Sequence, residues 1–294
     1  MRRSVWVLML VLGLLAMIVV PAAAITNGQP DGTNHPYVGL VVLIDADGLP
    51  LWRCSGSLIS ESLFLLAGHC TAPDGPDVPA RAAIWFGAGP ILTDPDFLNG
   101  VTNPDGKCSA PGVDGYPCVG DASGTPDTNP DFCIGCGNGL PGFAIRDVGV
   151  VVLDAARPGP YAQLPTPGLV DTLKNKTNVD FVGYGVQFQI SGKGGIPPQA
   201  RWAGPRQRMY APSELVSGNF VHSDEFIKFA LNPGGGSGGT CFGDSGGPDL
   251  LGGTNTVLAV NSYVTNVNCS GVGYSSRVDI PEVLAWIIGP HPAP

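Results

Sequence analysis

The sequence predicts an all-β protein with one short helix near its end. Charged residues make up only 13% of the chain, whereas 43 of the 294 residues are Gly and 29 are Pro. That composition breaks a chain into many turns and short strands. The apolar runs are short and bounded by turn residues, and a helical period appears only after Ile280. Neither strand–helix alternation, nor a heptad, nor an internal repeat is present.

The first 24 residues read as a secretory signal peptide rather than as fold. Arg2 and Arg3 precede the uncharged apolar run 5–20, and Pro21-Ala22-Ala23-Ala24 supplies an A-x-A cleavage site. The rival reading, an uncleaved anchor, needs about 20 apolar residues and is interrupted by Pro21. The expectation is therefore a secreted, extracellular protein without stable membrane association. The net charge of −9 becomes more negative once both arginines are removed. Such a chain is a poor ligand for nucleic acid.

Strands are expected at 38–45, in two runs within 56–66, and at 82–87. The stretch 89–141 is rich in Asp, Pro and Gly, holds four cysteines and lacks an apolar period, so it reads as an inserted loop. Its aspartates fit no EF-hand spacing and read as solvated. Strand returns at 148–153, and 157–169, with four prolines, reads as a crossing to a second unit. Further strands are expected at 179–186, 207–210, 226–230, 257–264 and 273–278. Pro281 then opens an amphipathic helix.

Eight cysteines in an exported chain imply disulfides. Cys108, Cys118, Cys133 and Cys136 allow three pairings, which the sequence leaves open. Cys133-Ile134-Gly135-Cys136 also fits half of a zinc site, although export favours disulfides.

The chemistry concentrates in Thr240-Cys241-Phe242-Gly243-Asp244-Ser245-Gly246-Gly247-Pro248. A serine between glycines in a tight turn can be approached by a substrate while backbone N–H groups converge on it. Upstream lie Cys54-Ser55-Gly56-Ser57-Leu58-Ile59, Leu65-Leu66-Ala67-Gly68-His69-Cys70, Arg146-Asp147-Val148-Gly149-Val150-Val151-Val152-Leu153 and Val182-Gly183-Tyr184-Gly185. Ile25-Thr26-Asn27-Gly28 follows the signal segment.

Together these six segments, in this order, resemble the trypsin/chymotrypsin-type serine proteases from Ile25 to about Trp286. Gly68 departs from that family, which has alanine there. The resemblance implies two six-stranded antiparallel β-barrels, a chymotrypsin-like fold, with a short C-terminal helix. Residues 25–156 would form the first barrel with its insertion, and 157–294 the second barrel and helix. It further implies a serine endopeptidase with Ser245 as nucleophile, His69 as base and Asp147 as its orienting carboxylate. Asp154 is a nearby rival for the last role, and His35, His222 and His291 read as structural. Gly243 and Ser245 would donate the oxyanion-hole N–H groups. Disulfides Cys54–Cys70 and Cys241–Cys269 are implied, as is an ion pair between Asp244 and the α-amine of Ile25 after cleavage.

Gly239 and Thr240 would form the base of the substrate pocket, with Ser262, Tyr263 and Val264 along its edge. Gly239 provides no carboxylate for a substrate Lys or Arg, and Val264 replaces a glycine that would admit large rings. Small or medium apolar residues are therefore expected before the scissile bond, unless an acid such as Asp249 reaches the pocket. Polypeptides are the expected partners of a monomeric enzyme needing neither cofactor nor metal. Gly243-Asp244-Ser245-Gly246-Gly247 also satisfies the G-x-S-x-G elbow of α/β-hydrolase esterases, but their order is Ser, acid, His. A non-catalytic, protease-like binding protein is the other alternative.

Overall fold

The computed structural model describes Ile25 and residues 28–91, 120–136, 144–186, 206–216, 224–232, 238–266 and 268–293. It also describes the backbone of Phe188–Gln189 and Trp202–Ala203. The signal-peptide reading, Cys108, Cys118 and His222 lie outside these residues.

A two-residue strand, β1 (Gln29–Pro30), precedes the first barrel. The barrel strands are β2 (Val38–Ile44), β3 (Pro50–Leu58), β4 (Leu63–Leu66), β5 (Arg81–Trp85) and β6 (Ala122–Thr128). A small ribbon of β7 (Cys133–Ile134) and β8 (Ala144–Ile145) follows, and β9 (Gly149–Leu153) completes the barrel. These strands close antiparallel in the order β2-β3-β4-β9-β6-β5. β2 and β9 carry the Val, Leu and Ile runs that the sequence marks, and they are buried almost throughout.

β6 corrects the expected extent of the insertion. It lies inside 89–141, yet it is a barrel strand paired with β5 and β9. Its sequence, ASGTPDT, has no apolar alternation, because backbone pairing rather than side-chain burial holds it. A Cβ at Gly124 would lie 2.2 Å from the Val152 carbonyl oxygen, so the close approach needs glycine.

The second half contains β10 (Asn178–Gly183), the short ribbon β11 (Phe188–Gln189) with β12 (Trp202–Ala203), and β13 (Met209–Glu214). β14 (Phe226–Ala230), β15 (Pro248–Leu251), β16 (Val257–Val264) and β17 (Val272–Arg277) follow. The sheet order is β1-β13-β10-β15-β16-β17-β14. The sheet curls until its far strand meets β13: Leu215 bridges Phe229, and the Val216 N–H donates to Lys228 O at 3.1 Å. β1 is thus a short addition to six main strands. The helix Pro281–Ile287 begins with its proline and buries Val283, Leu284 and Ile287. No helix among the described residues is long and apolar enough to cross a membrane.

One apolar cluster runs from Leu40, Phe64 and Val150 in the first barrel to Val182, Tyr184 and Leu250 in the second. A buried cation bolts this junction. Arg208 donates through Nε to Asp31 at 2.7 Å and through Nη1 to the Phe86 carbonyl at 2.8 Å. Its Nη2 donates to Gly32 O at 2.7 Å. Asp31 also accepts the His35 backbone N–H at 3.0 Å. Replacing one member of a buried pair leaves the other charge unmatched. Arg208→Met is therefore expected to cost about 3–5 kcal/mol, read as a shift in the urea midpoint with unchanged slope.

Candidate active site

The pairing of β4 with β9 creates the first part of the site. Leu66 lies opposite Gly149, so the chain just after β4 and just before β9 must run side by side. His69 sits in the first of these segments, on the single helical turn Gly68–Thr71, and Asp147 sits in the second. The Cys54–Cys70 disulfide ties this turn to β3. The Asp147 carboxylate accepts the His69 backbone N–H at 2.7 Å and makes a 2.9 Å hydrogen bond with its Nδ1. Asp154, the rival carboxylate, is instead engaged by Arg81 and Ser123.

The family's alanine before the histidine is absent for a local reason. A Cβ at Gly68 would stand 3.0 Å from the Phe132 ring and 3.2 Å from Asp147 Oδ1. Phe132 belongs to the described part of the expected insertion, which packs onto the histidine turn. Thr128 reinforces this contact through a 2.8 Å hydroxyl bond with Thr71. Cys133 and Cys136 form a disulfide with each other, so they are not zinc thiolates. His35 is held by Asp31, and His291 by Asp127 and the Ile287 carbonyl.

Ser262, expected along the pocket edge, turns its side chain toward the His69–Asp147 pair. Its hydroxyl donates to Asp147 Oδ2 at 2.5 Å, so its side chain serves the carboxylate. Asp147 is 1% exposed. Burial alone would raise its pKa, but His69 and Ser262 outweigh burial and hold it below the ordinary carboxylate value. For His69, burial disfavours the imidazolium, yet the Asp147 charge and hydrogen bond prevail and raise its pKa. The imidazole keeps 31% of its side chain exposed, open to a reacting partner.

The second barrel brings Ser245 to this edge. The Ser245 carbonyl accepts the Ser55 N–H of β3 at 2.8 Å and lies 3.9 Å from Cys70 Sγ, beside His69. Gly246 follows at φ +79°, and a Cβ there would be 2.6 Å from both Ala67 N and Ser55 O. Only glycine lets the turn press so closely against the first barrel. Among the described residues, neither the Gly243 nor the Ser245 amide donates to a protein acceptor. Their directions are nevertheless set, because a trans peptide points N–H opposite to C=O. Phe242 O accepts Val186 N–H at 2.9 Å and Asp244 O accepts Gly247 N–H at 2.8 Å. Both N–H groups are thus left for an acceptor outside the described residues.

Ser55 is the residue that sequence reasoning passed over. It replaces a glycine of the family pattern, and its hydroxyl accepts the Tyr184 N–H and donates to Gly243 O, each at 2.9 Å. It therefore links the first barrel, the opening of the second and the loop that carries Ser245. The signal was the unexpected side chain in Cys54-Ser55-Gly56.

Asp244 is buried at 1% exposure and accepts N–H groups from Gly185 at 2.7 Å and Cys241 at 2.9 Å. Burial outweighs these bonds and the nearby Arg206 and Arg53, pushing its pKa to about 7. Ile25 is fully buried in the second-barrel core with Phe181 and Met209, and makes no hydrogen bond to Asp244 among the described residues. Along the expected pocket, Gly239 and Thr240 are buried. Tyr263 stacks on Tyr274 with centroids 5.1 Å apart, and half-buried Val264 packs against the Cys241–Cys269 disulfide.

No family model matches the sequence, and no curated protein matches it. Solved structures do match in shape. HL collagenase superposes at TM-score 0.59 with 16% identity, covering 89% of this chain and 96% of that one. Human heparin binding protein gives 0.53 and 14%, covering 91% and 99%. The Vibrio cholerae VesB protease gives 0.50 and 16%, covering 88% and 66%.

Ser55→Ala would leave a buried N–H and a half-buried carbonyl without their shared partner. It is expected to cost about 1–3 kcal/mol of stability. With the closed first barrel, the curled second sheet and these neighbours together, the chain has the chymotrypsin-like serine protease fold.

Proposed function

We propose that this chain is a secreted serine endopeptidase acting through an acyl-enzyme. The observation that carries the reading is the buried Asp147 carboxylate gripping His69 by both backbone N–H and Nδ1. A serine hydroxyl is a weak nucleophile until a base takes its proton. His69 Nε2 accepts that proton as Ser245 Oγ bonds to the scissile carbonyl carbon. Asp147 stabilises the imidazolium that forms. The carbonyl oxygen becomes an oxyanion received by the Gly243 and Ser245 N–H groups. As the C–N bond breaks, His69 returns the proton to the leaving amine. Water then attacks the acyl-enzyme by the same route in reverse, releasing the acid and restoring Ser245.

The apolar run 5–20 and the Ala24 site support export, and Ile25 is then the new terminus. The buried Asp244, its pKa raised to about 7, lacks a full cationic partner in the uncleaved chain. The Ile25 α-ammonium would supply one, so signal cleavage itself would activate the enzyme. Gly239 at the pocket base and Val264 against the disulfide favour Ala, Val or Leu before the scissile bond.

A second reading, a binding protein on a protease fold, is favoured by one comparison, the human heparin binding protein, which is named for binding. Fluorophosphonate labelling separates the two readings. The endopeptidase reading expects stoichiometric label on Ser245, and peptide hydrolysis reduced roughly a millionfold in Ser245→Ala. A folded protein that neither labels nor hydrolyses peptides would be the binder.

Specificity has its own test on peptides differing only before the scissile bond. Burying a substrate Lys or Arg without a carboxylate costs several kcal/mol, while each fitting methylene contributes about 0.8 kcal/mol. kcat/KM is therefore expected to favour Ala, Val or Leu over Arg. A preference for Arg would show a pocket carboxylate that Gly239 does not provide.

A further inference from the structure

Asp249 is the one acidic residue of β15, and it is 0% exposed. Among the described residues, neither of its carboxylate oxygens accepts a hydrogen bond of ordinary geometry. Ser275 on β17 is its polar neighbour, and Asp244 lies close enough to repel it. A buried carboxylate with only a hydroxyl beside it costs several kcal/mol when charged, so its placement points to a cation that is missing from the uncleaved chain.

Strand register shows which cation is within reach. Asp249 lies opposite Phe181 on β10 and opposite Ala259 on β16. Directly paired residues face the same side of a sheet. Phe181 and Ala259 both belong to the apolar cluster that encloses Ile25. Asp249 therefore points into the compartment that holds Ile25, with Asp244 at its border. The other charges facing Asp244 are Arg206 and Arg53. Gly239 and Thr240, the expected pocket base, are not among the strand partners of Asp249.

We infer that Asp249 and Asp244 together form the receptor for the Ile25 α-ammonium, with Asp249 a second anchor inside the barrel. This rests on the proposal above that cleavage frees Ile25. An ammonium has three donors, and Asp244 already spends acceptor capacity on Gly185 and Cys241. A second buried carboxyl gives the ammonium another acceptor and relieves the unpaired state of Asp249. The same arrangement makes the uncleaved chain the less stable form, since it buries both carboxyls with no ammonium between them. No covalent step beyond signal cleavage is involved.

The test uses the secreted protein and cyanate, which carbamylates free amines. N-terminal sequencing first establishes whether the chain begins at Ile25; any other start overturns the activation reading and this inference with it. Given Ile25, Asp249→Asn is expected to be carbamylated at the terminus roughly tenfold faster than wild type, the factor carried by one pKa unit's worth of lost pairing. Asp244→Asn serves as the comparison. If Asp244→Asn accelerates the reaction and Asp249→Asn does not, the second anchor is overturned while the activation reading stands. Thermal unfolding guards against a merely disturbed core. Asp249→Asn should lower Tm when Ile25 is free, but leave Tm equal or higher once both proteins are carbamylated. An equal loss of Tm in both states would overturn the inference. So would a selective loss of cleavage after Arg or Lys, which would place Asp249 in the substrate pocket.

Discussion

The Asp147 carboxylate is the constraint on which the site depends. Buried and charged, it needs donors on several sides, and they come from both halves of the molecule. His69 supplies two from the first barrel and Ser262 supplies one from the second. The barrels must therefore dock in one register for the carboxylate to be satisfied. The shared apolar cluster and the Arg208 bolt impose that register away from the site. Pairing Leu66 with Gly149 imposes it locally.

The turn that carries Ser245 follows the opposite logic. Where Asp147 is fully satisfied, the Gly243 and Ser245 amides have no protein acceptors among the described residues. Leaving donors idle costs stability unless a ligand or water takes them, and the surrounding bonds hold them in that condition. Val186 and Gly247 aim the two peptides, Ser55 fixes the carbonyl between them, and Gly246 lets the turn sit against Ala67. Backbone geometry holds these groups in place, and the close approaches at Gly246 and Gly247 leave no room for a side chain.

Much of this was legible in the sequence, for reasons that differ by element. β14 and β16 match the expected bounds because their apolar runs are framed by turn residues. The His69, Asp147 and Ser245 segments stood out because their residue types are improbable together. β6 was illegible, since a strand held by backbone pairing leaves no periodic trace in ASGTPDT. The direction of the Ser262 side chain depends on a partner 115 residues away, and sequence spacing does not encode such a contact. The Cys133–Cys136 bridge was one of several pairings until the chain was folded. Asp249 drew notice only as an acid that could reach the pocket, and its complete burial within β15 is not encoded by its sequence neighbours.

The most direct measurement of the central claim is an NMR titration of the His69 imidazole in the intact protein and in Asp147→Asn. Burial alone lowers an imidazole pKa below its ordinary value of about 6.5, whereas a bonded carboxylate raises it. The account predicts a His69 pKa above the ordinary value in the intact protein, because Asp147 prevails over burial. It predicts a fall below that value in Asp147→Asn, where burial acts unopposed. Equal pKa values in the two proteins would contradict the account, since Asp147 would then not govern the proton on His69.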